Sequence, residues 1–192
     1  ASKRADYMAI VGGILWLANV TYFHLSFAGS QLARFVANPG NEHLSAAVRV
    51  LVYIRDNPWE LTYSPSLSRP FEVYIDSDWD VKYSTGGALF FFGGALIAWF
   101  SKLQRVVSLS SGQAELLAAI LTVKDGIFYR ELLSDLGLPP DGPTLIYSDS
   151  KSCCDVSVDP VAFKQLKHVL RSAEALRHYV DHLVFTFVHI PG

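Results

Sequence analysis

The sequence carries acidic residues at three places where the neighbouring residues are apolar. In the segment FEVYIDSDWD, alternation puts Asp76 and Asp78 on the face opposite Val73, so two carboxylates share one face at the end of a strand. Glu115 lies among Ala and Leu residues in the first turns of a helical segment, and Asp149 ends the apolar run LIYSD. An Asp at a strand end is, taken singly, an ordinary turn or helix-capping residue. Taken together, the acidic residues predict a shared site.

Carboxylates at strand ends and on a helix that packs over the sheet can converge at one edge of that sheet. Their mutual repulsion must then be relieved by a cation. Oxygen ligands without histidine or cysteine neighbours favour Mg²⁺ or Mn²⁺ over zinc. Two such ions would bind the attacking and leaving oxygens of a phosphodiester during an in-line displacement. The acidic residues therefore predict metal-dependent phosphodiester chemistry.

A change of hydrophobic period indicates the elements that would position these acids. After Pro58, short runs rich in β-branched and aromatic residues predict the strands of an antiparallel meander, near 71–77, 86–92 and 98–107. A segment of helical periodicity follows over 111–135. In this segment Ser110 and Gln113 have capping-box spacing, and Gly137 is placed to end the helix. The glycine pairs at 86–87 and 93–94 are expected to form turns or bulges.

The pattern beyond Pro139-Pro140 alternates between strands and helices. We expect a buried strand at 144–148 that pairs in parallel with 71–77, and a closing strand in LVFTFVHI. Two helices are predicted between them, at 150–158 and 165–181. The resulting order β-β-β-α-β-α-α-β predicts an α/β domain with a mixed sheet.

The first 66 residues indicate an N-terminal helical extension. The segments 6–36 and 43–56 have helical periodicity, and Asn38-Pro39-Gly40-Asn41 marks the turn between them. Polar residues interrupt the apolar run of the first segment, whereas a membrane span needs about 20 continuous apolar residues. We therefore expect no membrane span, and helices that dock on the rest of the protein or on a partner, with Trp16 and Leu17 buried.

Composition favours a folded domain and gives little sign of a polyanionic partner. Hydrophobic residues make up 51% of the 192 positions, and the net charge is −2. Binding of a nucleic acid would thus depend on local cations, and the candidates, which flank the acidic segments, are Lys102, Arg105 and Lys151. The alternative is that these cations only form part of a solvated surface. The adjacent Cys153 and Cys154 do not suit disulfide geometry, which favours a reducing, intracellular compartment.

Several segments together resemble the ribonuclease H domain at the end of copia-type retrotransposon polyproteins. They are YIDSDW, GGALFFFGGALIAWFSKLQRVVSLSSGQAEL, LIYSDSKS, DPVAFKQLKHVLRSAEALRHYV and FVHIPG. The resemblance covers residues 67–192, and the helices of residues 1–66 resemble those that join the reverse transcriptase to that domain. It implies a ribonuclease H-like fold, two divalent metal ions, and cleavage of the RNA strand of an RNA–DNA hybrid. On the family's motif, Asp76, Glu115 and Asp149 match the first three metal-binding carboxylates, with Asp78 as the second choice for the first.

The resemblance also implies a departure from the family. The family has a fourth metal-binding Asp several residues after the closing H-[IV]-P-G motif, whereas Gly192 is the last residue of the sequence. We therefore expect weak or absent cleavage in Mg²⁺, with any residual activity higher in Mn²⁺. Full activity in Mg²⁺ would imply that another acid, such as Glu174, takes the fourth place. The alternative hypothesis is a domesticated, non-catalytic subunit of ribonuclease H fold that serves as a structural or interaction module.

Overall fold

A computed structural model describes residues 3–64, 68–80, 83–104, 108, 110–158 and 170–191. The chain divides into two compact units, Ala1–Thr62 and Tyr63–Gly192. The boundary expected from the sequence, between 66 and 67, falls on residues outside the described ones.

The first unit is helical. It contains α1 (Lys3–Val20), a short 3-10 helix (Phe23–Leu25), α2 (Ser26–Ala33) and α3 (Asn41–Asp56). Its small core is formed by one face of α1 and one side chain from each of the other two helices, namely Tyr7, Val11, Ile14, Leu32 and Ala47. The hydroxyl of Tyr7 donates a 2.7 Å hydrogen bond to the carbonyl of Leu32, which satisfies the polar end of a buried phenol.

The burial of Trp16 was predicted wrongly. Its side chain is 64% exposed, whereas Leu17 is partly buried. The physical reason is the spacing of the buried residues of α1, which are Tyr7, Val11, Ile14 and Ala18. Residues spaced by three and four positions share one face of a helix, and Trp16 lies off that face. No helix within the described part of the chain combines the length and apolarity needed to cross a bilayer.

The second unit is a five-stranded sheet with helices. Its elements are β1 (Phe71–Asp78), β2 (Thr85–Phe92), β3 (Ala95–Leu103), α4 (Ser111–Asp135), β4 (Thr144–Ser148), α5 (Lys151–Val158), α6 (Leu170–Asp181) and β5 (Phe185–His189). The strand order in the sheet is β3-β2-β1-β4-β5. The α/β class and the element order expected from the sequence are confirmed.

The central strand β1 determines the geometry of the sheet. It pairs with β2 in antiparallel fashion and with β4 in parallel, and Tyr74 lies opposite Tyr147 in the parallel pair. This confirms the predicted pairing of 71–77 with 144–148. Because parallel strands end at the same edge of a sheet, the C-terminal ends of β1 and β4 bring Asp76 and Asp149 to one edge.

Helix α4 packs closely against the sheet because glycines leave room for it. A Cβ atom at Gly86 of β2 would lie 3.1 Å from the Cβ of Ala118, and one at Gly126 would lie 3.0 Å from the ring of Phe185. Gly86 is paired within β2, so the expectation of a turn or bulge at 86–87 was wrong. The pair at 93–94 forms the turn between β2 and β3, with positive φ at both residues, as expected.

The caps of α4 follow the predicted chemistry. The hydroxyl of Ser110 accepts a 3.3 Å hydrogen bond from the backbone N–H of Gln113 at the start of the helix. At the other end, Gly137 has a φ of 74°, and the N–H of Leu138 donates a 2.8 Å bond back to the carbonyl of Leu133. Both ends of the helix that carries Glu115 are therefore fixed by local interactions.

Candidate metal centre

Three carboxylates meet at the edge where β1 and β4 end. Asp76 is on β1, Glu115 is in the first turns of α4, and Asp149 directly follows β4. Each residue contributes one carboxylate oxygen, and these three oxygen atoms all lie within 4.8 Å of one another. Across the described ranges, no other group of three or more His, Cys, Asp or Glu side chains comes this close together. Carboxylates at this separation repel one another when all are ionised.

The start of α4 is anchored to the sheet by a buried polar network. Gln104, which directly follows β3, donates a 2.8 Å hydrogen bond from its side-chain amide to the carbonyl of Ala114. Its own amide oxygen accepts a 3.2 Å bond from the hydroxyl of Ser108, and both side chains are 3% exposed. The network fixes the position of the residue immediately before Glu115. Sequence reasoning missed Gln104, although a polar residue between an apolar strand and a helix cap is a usable signal.

Glu115 is the buried member of the three acids. Its side chain is 7% exposed, and its Oε1 atom accepts a 2.8 Å hydrogen bond from the hydroxyl of Ser77. Its Oε2 atom is buried and has no hydrogen-bond partner. Burial raises the pKa of Glu115; the Ser77 hydrogen bond opposes this shift, and the charges of Asp76 and Asp149 add to it. A buried, unpaired carboxylate oxygen is costly unless a cation binds it.

The other two acids are exposed, and the side chain of Asp76 and the backbone carbonyl of Asp149 each accept a hydrogen bond. Asp76 accepts a 2.8 Å hydrogen bond at Oδ1 from the backbone N–H of Ser77. The carbonyl oxygen of Asp149 lies 3.1 Å from Nε2 of His189, the last residue of β5, which acts as the donor. The ends of β1, β4 and β5 thus all contribute to the arrangement.

The residues of this edge fit a hard divalent cation. All three donors are carboxylates, and the buried Oε2 atom of Glu115 lacks any other partner. Mg²⁺ is typically bound through one or two carboxylates together with water and substrate phosphate. The exposure of Asp76 and Asp149 leaves the centre accessible to such oxygens.

The remaining predicted residues lie in different settings. Asp78 is exposed at the end of β1 and is not part of the three-acid group, and Glu174 is exposed on α6 and also outside it. Lys102 lies over the ring of Phe100 and forms a 3.1 Å salt bridge with Asp125 of α4. Lys151 is exposed at the first position of α5, close in sequence to Asp149, while Arg105 lies outside the described residues.

The sequence is similar to polyproteins of plant transposons. It is 31% identical over 182 residues to the retrovirus-related Pol polyprotein from transposon TNT 1-94 of Nicotiana tabacum, and 31% identical over 192 residues to that from transposon RE1 of Arabidopsis thaliana. These matches cover 93% and 96% of this chain but only 14% and 13% of the two polyproteins, so the chain spans about one seventh of their length. No family model matches the chain.

A much shorter relative is also similar. The protein named Secreted RxLR effector protein 161 of Plasmopara viticola is 31% identical over 131 residues, which are 66% of this chain and 92% of that protein. Segments like this one therefore occur in relatives of very different length.

Among solved structures, the foamy viral protease-reverse transcriptase in complex with RNA/DNA hybrid shares the fold. It has a TM-score of 0.57 at 14% identity, and the match covers 97% of this chain and 25% of that one. The mixed sheet in the order β3-β2-β1-β4-β5 agrees with the ribonuclease H-like architecture that the resemblance implied. The sequence similarity and the fold together show that the chain belongs to the family of retrovirus-related Pol polyproteins of transposons, as their ribonuclease H-like region.

Proposed function

We propose that the chain is a ribonuclease H-type nuclease domain of the copia type, which hydrolyses the RNA strand of an RNA–DNA hybrid. The observation that carries the proposal is the convergence of Asp76, Glu115 and Asp149, with the buried Oε2 atom of Glu115 lacking a partner. The substrate class is supported by the foamy viral neighbour, which was solved with an RNA/DNA hybrid.

In this proposal Asp76, Glu115 and Asp149 hold Mg²⁺ or Mn²⁺. The ions, when bound, polarise the attacking water and stabilise the leaving 3′ oxygen of the phosphodiester. The chain itself provides the fixed geometry. Ser77 of β1 binds the Glu115 carboxylate, and Gln104, which follows β3, anchors the residue before Glu115. His189 of β5 binds the backbone carbonyl of Asp149. The exposed sides of the other two acids leave space for a phosphate group to approach.

Substrate affinity in this proposal comes from single cations near the acids. Lys151 is exposed and begins α5, a short distance along the chain from Asp149. We propose that it contacts a phosphate of the hybrid, since phosphate contacts position a protein on a duplex without reading its sequence. Lys102, which is paired with Asp125, and Arg105 are proposed as additional contacts.

The expected level of activity follows from the number of ligands. Three acids form the group among the described residues, and they hold one ion more readily than two. We therefore expect the 192-residue polypeptide to cleave weakly or not at all in Mg²⁺ and better in Mn²⁺, whose geometric demands are looser.

The test is cleavage of a labelled RNA strand in an RNA–DNA hybrid, in Mg²⁺ and in Mn²⁺. Asp149→Asn should abolish any residual activity, because it replaces a negatively charged carboxylate with a neutral amide, which is a weaker ligand for a divalent ion. The matched control is Asp135→Asn, which makes the same change at an exposed position at the end of α4. Cleavage that persists in Asp149→Asn would place the chemistry elsewhere.

A second candidate is the domesticated, non-catalytic module. It is favoured by large apolar side chains exposed on two helices of the first unit, Met8, Trp16 and Val20 on α1 and Val48 and Leu51 on α3. Binding of the hybrid without cleavage in either ion, by wild-type protein of native fold, would favour this candidate over the nuclease.

A further inference from the structure

We propose that Ser77 is a positioning residue for the metal centre: its hydroxyl orients the Glu115 carboxylate so that the Oε2 atom faces the ion. This inference rests on the proposed function, because it assigns Ser77 a role toward the same three acids. It is independent of the identity of the substrate.

The alternation of β1 explains why Ser77 can do this. The strand buries Phe71, Val73 and Ile75 on the face that packs against α4, and Ser77 continues that series. Asp76 belongs to the alternate, exposed series. One residue of the strand therefore supplies a metal-binding carboxylate, and the next reaches the helix that carries Glu115.

Ser77 contacts two of the three acids through different groups. Its backbone N–H donates a 2.8 Å hydrogen bond to Oδ1 of Asp76, and its hydroxyl donates a 2.8 Å hydrogen bond to Oε1 of Glu115. The last side-chain torsion of Glu is broad, so a carboxylate without a partner can rotate. Once Oε1 is bound by the hydroxyl, the planar group fixes the direction of Oε2, which is the oxygen without a partner.

The separation between Ser77 and Glu115 is itself determined by packing. Ser77 lies opposite Gly86 in the β1–β2 pair, and at Gly86 the helix approaches so closely that a Cβ atom would lie 3.1 Å from the Cβ of Ala118. The start of the helix is anchored by the bond from Gln104 to the carbonyl of Ala114. The close approach at Gly86 and the bond from Gln104 thus both fix the distance between β1 and α4 at the Ser77–Glu115 hydrogen bond.

The substitution Ser77→Ala isolates the hydroxyl, because the backbone N–H that binds Asp76 remains. We expect it to weaken Mn²⁺ binding about tenfold, which is the lower end of the effect seen when partners of metal ligands are removed. The melting temperature of the metal-free protein should change little, since the side chain of Ser77 is partly exposed.

The experiment is calorimetric titration of the full chain with Mn²⁺ alone. The side chains of Ser77→Thr and Ser77→Val have the same shape and differ in the hydroxyl, so the Thr variant should retain the affinity for Mn²⁺ and the Val variant should bind about tenfold more weakly. This pair decides the question even if Ser77→Ala fails to fold. The matched control is Ser134→Ala on α4, the helix that carries Glu115; it removes a hydroxyl that donates a 2.8 Å bond to the carbonyl of Arg130.

The possible results distinguish a failure of the role of Ser77 from a failure of the metal centre itself. Saturable binding by wild type and Ser134→Ala, with about tenfold weaker binding by Ser77→Ala and Ser77→Val, supports the role of Ser77. Equal affinity in wild type and all the Ser77 variants overturns that role and leaves the metal centre standing. Failure of folded wild type to bind Mn²⁺, or unchanged binding in Asp149→Asn, overturns the metal centre and the role of Ser77 with it.

Discussion

Replacement of Glu115 by Gln should stabilise the metal-free protein and remove its response to metal. Glu115 is buried next to two further carboxylates, so the wild-type fold contains repulsion that an uncharged, nearly isosteric side chain relieves. The amide oxygen of Gln can still accept the hydrogen bond from Ser77, and its NH₂ group can donate to Asp76 or Asp149. The substitution therefore removes charge while leaving a satisfied polar group.

The size of the effect follows from the separation of the oxygens. Two unit charges 4.8 Å apart repel by about 0.9 kcal/mol at the dielectric constant of water and by about 3.5 kcal/mol at an effective value of about 20. Because Asp76 and Asp149 are exposed, solvent screening keeps each interaction near the lower figure. We expect Glu115→Gln to raise the free energy of unfolding by about 1 to 2 kcal/mol.

The pH dependence of this gain has a defined sign. Because the pKa of Glu115 is raised in the folded state, the folded protein binds more protons than the unfolded chain between the ordinary and the raised value. The free energy of unfolding of the wild type therefore falls as the pH rises through that interval. Glu115→Gln cannot titrate, so its advantage should be small below the ordinary Glu pKa of 4.5 and fully developed above the raised value.

The assay is denaturant unfolding in EDTA and in saturating Mn²⁺. In EDTA the variant should be more stable than wild type, and in Mn²⁺ the order should reverse, because bound metal stabilises only the protein that holds it. Glu131→Gln, on the exposed face of the same helix, is the matched control and should show neither effect. A loss of stability for Glu115→Gln in EDTA at neutral pH would refute the reasoning.

Three further predictions concern reactivity, packing and substrate contacts. Burial raises the pKa of Cys153 to about 12, and it also raises the pKa of Cys154, which is only partly buried. A thiol reagent at mildly alkaline pH should therefore label Cys154 slowly in the native protein and Cys153 only after denaturation. Rapid labelling of both cysteines in the native state would contradict this. Gly126→Val should lower the free energy of unfolding by about 1 to 3 kcal/mol through overpacking against Phe185, and thermal melting showing no loss would contradict the close packing. Lys151→Ala should reduce the slope of the logarithm of the hybrid-binding constant against the logarithm of the salt concentration by about one. An unchanged slope would exclude a phosphate contact by Lys151.

Local signals account for what was predicted accurately from the sequence. Helix α4 and strand β4 have the predicted bounds, 111–135 and 144–148, because their ends depend on nearby residues. Ser110 caps the start of the helix, and Gly137 ends it in a left-handed conformation. The predicted parallel pairing of β1 with β4 is confirmed, but it has no such local cause, because α4 joins β3 to β4 and these two strands are not neighbours in the sheet.

Features that depend on distant partners were not predictable in the same way. Gly86 was expected in a turn or bulge because its sequence context does not show that α4 packs directly over it at Ala118. The alternation of β1 places Ser77 on the inner face, but its contact with Glu115 requires the position of the helix. The three acids could be proposed from their types and spacing, whereas the unpaired oxygen of Glu115 is visible only in three dimensions.

The central claim, that these acids form a divalent metal centre, is tested most directly by a crystal structure of the full chain soaked in Mn²⁺. Anomalous scattering locates Mn²⁺ independently of the coordinates of the protein. We expect an ion within bonding distance of Asp76, Asp149 and the Oε2 atom of Glu115. A saturating soak that places Mn²⁺ on other residues, or leaves these three carboxylates without an ion, would contradict it.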